Sequence, residues 1–335
     1  MNSKLVSFLK YIILLGAGAG LLFIAFKGIS LNAIFHEIKQ ARVSWLLVSI
    51  AISFVSLASR AYRWKLLVEP LGYSPSLRNT IYSLSLGYFA NLALPRLGEI
   101  SRCGALSKAE SIPFNKLLGT VIIERIIDVI SLLICILLVA IIEFKRLGNF
   151  FSENITDPLF KKLNLLFESP LLLSAAIIII FILIGLVYYY VFKKNKENES
   201  VFSKILRGFV DGLRSVANLK RPWLFVFHSF FIWFLYYLGV YVCLFALPAT
   251  ENLGWGAALF LLVAGGIGMS APVQGGIGSY HLLVSQGLML YGVSQQDGLT
   301  FALLLHTLQM IIIVILGVAS LLLLFPNKRL SKLTD

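Results

Sequence analysis

Charged residues are scarce in this sequence: Asp, Glu, Lys and Arg make up 13% of its 335 residues, against 58% hydrophobic residues. Soluble domains are about half apolar and about one quarter charged, so this composition excludes a soluble globular fold. Cysteine is scarce as well. The three cysteines, Cys103, Cys135 and Cys243, are an odd number and lie in or beside apolar segments. They therefore indicate no disulfide framework.

Signatures of the common enzyme classes are missing too. The four histidines, His36, His228, His281 and His306, are scattered and lack the HExxH spacing of a zinc site. There is no Walker motif, no Rossmann fingerprint and no Gly-x-Ser-x-Gly elbow. The sequence thus gives no support for catalysis, a metal or a cofactor. Transport without a nucleotide would run downhill or use a proton or ion gradient.

Long apolar runs, in contrast, are abundant. Stretches that match the roughly 20 residues needed to cross a bilayer predict six full transmembrane helices: Phe8 to Phe26, Ser44 to Tyr62, Leu117 to Ile142, Leu171 to Phe192, Trp223 to Leu247 and Leu299 to Phe325. The first follows a short basic head, but no small-residue cleavage site comes after it, so we expect a retained anchor. The expected fold is an all-α polytopic membrane protein, with 1–335 as a single integral membrane domain.

The basic surplus, a net charge of +13, follows the membrane topology. With the amino terminus in the cytoplasm, most Lys and Arg residues fall on the cytoplasmic side, so both termini are expected there in a cell (inner) membrane. The surplus then serves orientation and anionic inner-leaflet lipids, and a nucleic-acid partner is not expected. Indole rings favour the membrane interface, and four tryptophans near span ends are expected anchors: Trp45, Trp64, Trp223 and Trp255.

Two further apolar stretches are too short or too broken to cross a bilayer. Thr80 to Pro95 runs into charged residues, and Trp255 to Met269 runs into Pro272 and several glycines before an apolar run resumes from Tyr280 to Val293. Non-helical backbone at membrane depth is tolerated where protein buries it or where it lines a wet cavity. Both stretches therefore predict re-entrant hairpins built from broken helices.

The two breaks resemble each other, since proline and glycine stand three apart in both. Ala93 to Glu99 reads ALPRLGE, and Ser270 to Gly276 reads SAPVQGG. The full spans around the first break run opposite to those around the second. This predicts an inverted repeat, at about 44–143 and about 223–325, as in many transporters whose substrate sites lie where broken helices meet. Two ordinary loops that happen to contain proline and glycine are the alternative.

A basic segment, about 193–221, separates the two repeats. Its apolar residues share one helical face: Phe202, Ile205, Leu206, Phe209, Val210, Leu213 and Val216. We expect an amphipathic cytoplasmic linker that lies on the anionic inner leaflet. A shorter amphipathic helix is expected on the opposite side, with the apolar residues Leu31, Ile34, Phe35 and Ile38.

The segment Asn91 to Arg102, NLALPRLGEISR, concentrates polar chemistry at the first break. It contains a proline, a glycine and three charged residues: Pro95, Gly98, Arg96, Glu99 and Arg102. Charge at membrane depth is expensive unless it faces a cavity or a partner. Arginine forks suit a phosphate group, so Arg96 and Arg102 are candidate ligands for a lipid headgroup. The alternative is that both arginines mark the cytoplasmic surface.

A second group of charges lies inside a predicted span. Glu124 and Asp128 share a helix face, and Arg125 can reach Asp128 one turn away. Arg60 and Arg63 stand at the cytoplasmic end of another span, where they could hold lipid phosphates or satisfy topology alone. An ion-pair network that only stabilises the helix bundle is the competing interpretation of the first three residues.

Four segments in this order carry a family resemblance: SRAYRW at 59–64, FANLALPRLGEISR at 89–102, ERIID at 124–128 and APVQGGIG at 271–278. Together they resemble the flippase-like membrane family of the lysylphosphatidylglycerol synthase transmembrane region. The resemblance extends from about Val6 to Phe325. It implies a lipid translocase that moves a polar headgroup between leaflets. In the best-known relatives, the lipid that is moved is an aminoacylated phosphatidylglycerol.

The resemblance also implies a set of substrate-binding positions. Those that match are Arg60, Arg63, Asn91, Pro95, Arg96, Gly98, Glu99, Arg102, Glu124, Arg125, Asp128, Pro272, Gly275 and Gly276. One departure follows the second glycine turn, where many relatives have a glutamate and this chain has Tyr280 and His281. A titratable His281 would change which headgroup is accepted, so it joins the candidates.

The expected function is therefore movement of a phosphate-containing or aminoacylated phospholipid headgroup, without catalysis. Relatives carry aminoacyl transfer on a soluble domain after the membrane region, and this chain ends ten residues beyond Phe325. We therefore expect a separate lipid-synthesising enzyme as a partner. Two alternatives stay open: an intramembrane lipid-modifying enzyme that uses carboxylates as acid and base, and a structural membrane partner protein.

Overall fold

The computed structural model describes residues 16, 18–27, 31–151 and 219–324, which form helices and turns with no β-strand among them. A helical segment at 18–26 comes first. The helices that follow are α1 (Leu31–Lys39), α2 (Val43–Val68), α3 (Leu77–Ala93), α4 (Leu97–Glu110), α5 (Phe114–Ile142), α6 (Phe144–Phe151), α7 (Pro222–Leu244), α8 (Trp255–Ser270), α9 (Ser279–Met289) and α10 (Gln295–Leu324). Short 3₁₀ turns occupy Glu69–Leu71 and Gln274–Gly276.

Four helices are long and apolar enough to cross a membrane, by length and composition: α2 with its 3₁₀ extension, α5, α7 and α10. They confirm four of the predicted spans, although α7 ends at Leu244, three residues before the expected end. The predicted span at 171–192, the linker at 193–218 and most of the span at 8–26 lie outside the described residues. Large apolar side chains are exposed along α5 and α10, as lipid contact requires.

Helices α2 and α7 pack side by side in opposite directions. At one end, Arg42 at the start of α2 pairs with Glu251 beyond α7 at 2.5 Å. At the other end, Arg221 before α7 pairs with Glu69 after α2 at 2.7 Å. Between the two ends, the Ser59 hydroxyl lies 2.8 Å from Nδ1 of His228. The pair is therefore fixed at both ends and along its length.

Helices α3 and α4 form the first predicted hairpin, and glycines let its two arms touch. A side chain on Gly87 would meet the carbonyl of Gly98 at 2.8 Å, and Gly98 faces the carbonyl of Gly87 in return. The Asn91 side chain accepts a 2.7 Å hydrogen bond from the Gly98 amide at the closed end. At the open end, Ser76 caps α3, and its hydroxyl donates to Glu110 at 2.8 Å.

Helices α8 and α9 form the second hairpin, and it too closes on a glycine. Gly268 lies against the backbone of Tyr280, where an added methyl group would sit 2.7 Å from its Cα atom. In the turn between the arms, Gly275, Gly276 and Gly278 have positive φ angles. Residues other than glycine rarely adopt this backbone conformation. The two predicted breaks are thus real breaks between packed helical arms.

The hairpins begin at opposite ends of the α2–α7 pair and meet at their closed ends. The first follows Glu69, and the second follows Glu251, which belong to the two different end contacts. Gly275 in the second turn lies 3.2 Å, measured from its ideal Cβ position, from the Leu92 side chain of α3. In addition, Gly317 in α10 packs closely against Phe89 in α3.

A second compact unit, residues 140–215, begins near the end of α5. Its described part contains α6, where Arg146 pairs with Glu143 at 2.5 Å.

The expectation that Trp64 anchors α2 at the membrane interface is wrong. Its side chain is fully buried, and its indole N–H donates a 2.9 Å hydrogen bond to the Thr120 hydroxyl of α5. A tryptophan at a span end fits an interface anchor and a buried packing residue equally well, and the contact with α5 decides for the latter. Trp223 and Trp255 are exposed, as an anchor requires.

Candidate functional site

Four arginines and two carboxylates meet in the interior between α2, α4 and α5. The arginines are Arg60 and Arg63 from α2, Arg102 from α4 and Arg125 from α5, and the carboxylates are Glu124 and Asp128. We call these six residues the arginine cluster. Three of its arginine side chains are almost completely buried, whereas Arg125 is 42% exposed.

Glu124 lies at the centre of the arginine cluster. Arg60 donates to its Oε1 atom from Nη2 at 2.8 Å, and Arg125 donates to the same oxygen at 2.9 Å. Arg102 donates to its Oε2 atom at 3.0 Å. The side chain has no exposed surface, and Arg63 lies 3.7 Å from its Oε1 atom as well, so all four guanidinium groups of the cluster compensate its charge.

Asp128, one turn further along α5, completes the pairing. Arg63 donates to Oδ1 at 2.6 Å, and Arg60 donates to Oδ2 at 2.7 Å. Arg125 lies 3.1 Å from Oδ2, as the spacing of three residues predicts. Because Arg60 reaches both carboxylates, the expectation that Glu124 and Asp128 share a face is confirmed.

Aromatic and hydroxyl groups support the guanidinium groups. Arg60 donates to the Tyr236 hydroxyl of α7 at 2.7 Å, and its guanidinium carbon lies 5.8 Å from the centre of the Tyr88 ring. The Arg102 guanidinium lies over the Trp64 ring at 4.8 Å. Such cation–π contacts stabilise arginine where water is excluded.

The arginine cluster has more positive than negative charge. Its four guanidinium groups face two carboxylates, and the nearest further carboxylate, Glu99, is 3.9 Å from Arg125. Buried N–H groups at Arg63 Nε and Arg102 Nη2 have no hydrogen-bond partner among the described residues. A buried donor without an acceptor is unfavourable, so each of these N–H groups carries an uncompensated cost of removal from water.

The first hairpin positions Arg102. The close contact of Gly87 with Gly98 brings α4 against α3, and a methyl group on Gly87 would lie 3.0 Å from Cβ of Arg102. The guanidinium group then extends from α4 to Glu124 on α5. The glycine contact is therefore part of the site, although neither glycine touches a charge.

The other predicted residues of the first break occupy the turn itself. Arg96 is exposed with a positive φ of 67°, and it makes no hydrogen bond or ion pair with the residues that the structure describes. Asn91 and Gly98 hold the turn together, and Pro95 lies beside Arg96. The structure thus brings Arg102, but not Arg96, into the arginine cluster.

The candidates from the second hairpin form a separate group. Gly275 and Gly276 shape the turn, Pro272 is exposed in it, and His281 is buried at the start of α9. His281 contacts Gly278, Tyr280 and His306, and none of these residues belongs to the arginine cluster. These residues remain predictions as headgroup ligands.

Some supporting residues have no local sequence signal. Tyr236 and Ser229 come from α7, more than 160 positions after the arginines that they contact, and only a folded α2–α7 pair reveals them. Gln274 is buried in the second turn, and its amide nitrogen has no hydrogen-bond partner among the residues that the structure describes. Among the described residues, no group of three or more His, Cys, Asp or Glu side chains is placed to hold a metal ion.

Comparison with known proteins identifies the family of this chain. The family model described as the lysylphosphatidylglycerol synthase TM region matches residues 7–317. A UPF0104 membrane protein of Methanocaldococcus jannaschii is 28% identical over 103 residues, which are 30% of this chain and 31% of that protein. The matched region is thus about one third of that relative's length, and no solved structure matches the chain. The chain is a multi-pass membrane protein, and it belongs to the family of the lysylphosphatidylglycerol synthase transmembrane region.

Proposed function

We propose that this protein is a lipid translocase that moves a polar, phosphate-containing headgroup, including an aminoacylated one, between the leaflets of the cell membrane. The arginine cluster binds the phosphate, and the acyl chains stay in the bilayer. No covalent bond is made or broken, and no cofactor takes part. The termini lie in the cytoplasm, where a separate enzyme synthesises the lipid.

The observation that carries the proposal is the uncompensated positive charge of a buried site. Glu124 and Asp128 balance two of the four arginines and Glu99 lies 3.9 Å from Arg125, which leaves a surplus of one positive charge. Arg63 and Arg102 each keep a buried N–H group without a hydrogen-bond partner among the described residues. A phosphate supplies both the missing charge and the missing acceptors, and guanidinium groups bind it in a forked geometry. A network that served packing alone would have little reason to retain surplus charge in the membrane.

The accessible side of the arginine cluster gives a route for the headgroup. Arg125 and Glu99 are both partly exposed, with side-chain exposures of 42% and 39%, and they lie 3.9 Å apart. An arriving phosphate replaces Glu99 at Arg125 first and then reaches the buried guanidinium groups. The Glu99 carboxylate is left to contact a cationic headgroup, such as an aminoacyl ammonium group.

The two hairpins supply the moving parts. They begin at opposite ends of the α2–α7 pair and meet where Leu92 contacts Gly275. In an inverted repeat this arrangement gives each side of the membrane its own broken-helix hairpin, and alternating movement of the two exposes one site to each leaflet in turn. The repeat is part of the proposal, together with repeat 1 at about 44–143 and repeat 2 at about 223–325.

The test is movement of fluorescent phospholipids between the leaflets of proteoliposomes, across a panel of headgroups. Arg102→Gln and Arg125→Gln each remove one positive charge from the arginine cluster, and Arg78→Gln removes an exposed arginine of α3 as a matched control. A lost charge-assisted contact of about 1.5 to 3 kcal/mol predicts movement about tenfold to hundredfold slower in the first two variants.

Equal rates in the wild type and both cluster variants would contradict the proposal. No movement of any headgroup by folded wild-type protein would favour the alternatives, an intramembrane lipid-modifying enzyme or a structural membrane partner. Mass spectrometry of the lipids after incubation separates those two, because an enzyme changes the headgroup mass. Size-exclusion elution of each variant establishes that it is folded.

A further inference from the structure

Two buried histidines face each other beside the turn of the second hairpin. His281 stands in the first turn of α9, His306 lies in α10, and their ring centres are 4.7 Å apart. Tyr280 stacks on His306 at 5.0 Å. Both imidazoles are almost completely buried. The arginine cluster makes no use of this pair.

His281 holds the turn through an acceptor that a proton would remove. Gly278 precedes α9 as its N-cap, and its amide donates a 3.2 Å hydrogen bond to Nδ1 of His281. The side chain thus does what glutamate or glutamine does at this third helical position of a capping box. A carboxylate or an amide oxygen accepts this bond persistently. Imidazole accepts it only while Nδ1 carries no proton.

His306 holds the same turn from the other side. Its Nε2 atom lies 2.8 Å from the carbonyl oxygen of Gly275, so this nitrogen carries the hydrogen and donates. The hydrogen bonds therefore fix Nε2–H on His306 and leave Nδ1 of His281 bare. A proton that reaches His281 binds at Nδ1 and displaces the Gly278 amide.

In the described part of the chain, few charged residues lie near the two histidines, so an added proton would have little compensating charge. Helices α8 and α9 and the segment 18–26 contain no Asp, Glu, Lys or Arg. In α10 the one charged residue, Asp297, lies two and a half turns from His306, and the charged residue of α3, Arg78, lies at the far end of that helix from the turn. Among the residues that the structure describes, the other titratable groups near the pair are Tyr280 and, beyond it, Cys243 of α7. One added charge would thus be uncompensated, and two would repel each other.

We propose that His281 and His306 form a proton-binding site that unlocks the second hairpin and couples lipid movement to a proton gradient. This inference rests on the proposed function. A proton from one aqueous side binds Nδ1 of His281, the hydrogen bond from the Gly278 amide breaks, and the turn leaves its packed position. The proton departs to the other side when the turn closes again.

The turn is placed to transmit this change. Gly278 packs against the segment 18–26, where a side chain on it would lie 2.5 Å from the carbonyl oxygen of Gly18. Gly275 touches Leu92 of the first hairpin. Loss of the cap therefore frees a glycine-rich turn that contacts the first hairpin on one side and the 18–26 segment on the other.

The first test measures opening of the turn without any lipid assay. Val273 is 6% exposed inside the turn, so Val273→Cys in a protein with Cys103, Cys135 and Cys243 replaced by alanine reports access of a water-soluble maleimide. Ser74→Cys, at an exposed position outside the hairpins, corrects for the pH dependence of thiol reactivity. The corrected labelling rate is expected to rise as pH falls, by about tenfold per pH unit in the region where His281 takes up its proton.

His281→Gln provides the decisive variant, because glutamine keeps a capping-box acceptor but does not titrate. In this variant the corrected labelling of Val273→Cys is expected to stay slow at every pH. A flat pH profile in the parent protein, or the same rising profile in His281→Gln, would overturn the proposal. Folding of both proteins is checked by size-exclusion elution.

The second test applies a pH gradient to proteoliposomes. The gradient is expected to change the rate of lipid movement about tenfold in the parent protein and to have no effect in His281→Gln. Lipid movement that ignores the gradient, in a protein whose turn opens with pH, would overturn the coupling and leave the proposed function intact. No lipid movement under any condition would refute the proposed function, while the labelling result would still report on the histidine pair.

Discussion

Glu124 is the fully buried carboxylate at the centre of the arginine cluster. It accepts hydrogen bonds from Arg60, Arg102 and Arg125, and its side chain has no exposed surface. Removal of one partner from a buried ion pair is strongly destabilising, because the other charge stays buried without compensation. Glu124 therefore holds the guanidinium groups of the arginine cluster together.

Glu124→Gln is expected to lower the free energy of unfolding by about 3 to 5 kcal/mol, since four guanidinium groups lose their shared counter-charge. Chemical denaturation in detergent, followed by tryptophan fluorescence, measures the change. The matched control is Glu99→Gln, which removes a 39% exposed carboxylate and is expected to change stability by about 1 kcal/mol or less. A stable Glu124→Gln variant would mean that the guanidinium groups find other acceptors.

Local spacing predicted one half of the arginine cluster. Glu124, Arg125 and Asp128 lie within five positions on one helix, so their proximity follows from helix geometry alone. Arg60 and Arg63 come from a helix more than 60 positions earlier, and a span-end position explained them equally well as topology signals. Their contacts depend on how α2 packs, which no local pattern encodes.

At the scale of the elements, the first hairpin depends on two glycines whose backbones touch. Gly98 has no space for a side chain, because the carbonyl of Gly87 and the Asn91 side chain already occupy it. Gly104, on the same helix α4, has no neighbouring atom within 4 Å of an added methyl group. The two positions therefore form an internal comparison of the same substitution.

Gly98→Ala is expected to push α4 away from α3 and to withdraw Arg102 from Glu124. Because one charge-assisted contact is then lost, we expect lipid movement to be about tenfold slower or more. Gly104→Ala is expected to leave movement unchanged and to stabilise the protein by about 0.5 to 1 kcal/mol, because alanine favours the helix. Lipid movement and thermal unfolding of both variants are the measurements. Equal rates of lipid movement in the two variants would mean that the glycine contact is not needed to position Arg102.

The sequence indicates both helix breaks because proline and glycine interrupt apolar runs at matching positions. It does not show that the polar segment after the first break is a helix, α4, which returns along α3 and buries Arg102. That segment has low mean hydropathy, so the apolar pattern misses it as a membrane element. The close glycine contact is a property of two distant backbones and emerges only from their packing.

At the scale of the whole molecule, the proposed inverted repeat would assign each hairpin to one side of the membrane. Ser74→Cys, before the first hairpin, is expected to react with a membrane-impermeant maleimide only from the cytoplasmic side. Asn252→Cys, before the second hairpin, is expected to react only from outside, since the two positions lie near opposite end contacts of the α2–α7 pair. Both residues are exposed.

Labelling in intact cells and in inside-out vesicles measures this orientation. Each cysteine variant serves as the control for the other, because the expected patterns are reciprocal. Reaction of both cysteines from the same side would contradict the inverted repeat. Reaction of each from the side opposite to that expected would preserve the repeat and reverse the orientation.

The α2–α7 pair is joined at one end by Arg42 and Glu251 and at the other by Arg221 and Glu69. The distance between two positions on this helix pair can therefore serve as a fixed reference distance. Spectroscopic labels placed across it should keep one separation throughout the proposed transport cycle, and labels on either hairpin can be compared with that fixed distance. A change in distance between a hairpin and the α2–α7 pair would report motion of the hairpin. Tilt of the entire protein in the bilayer would leave that distance unchanged.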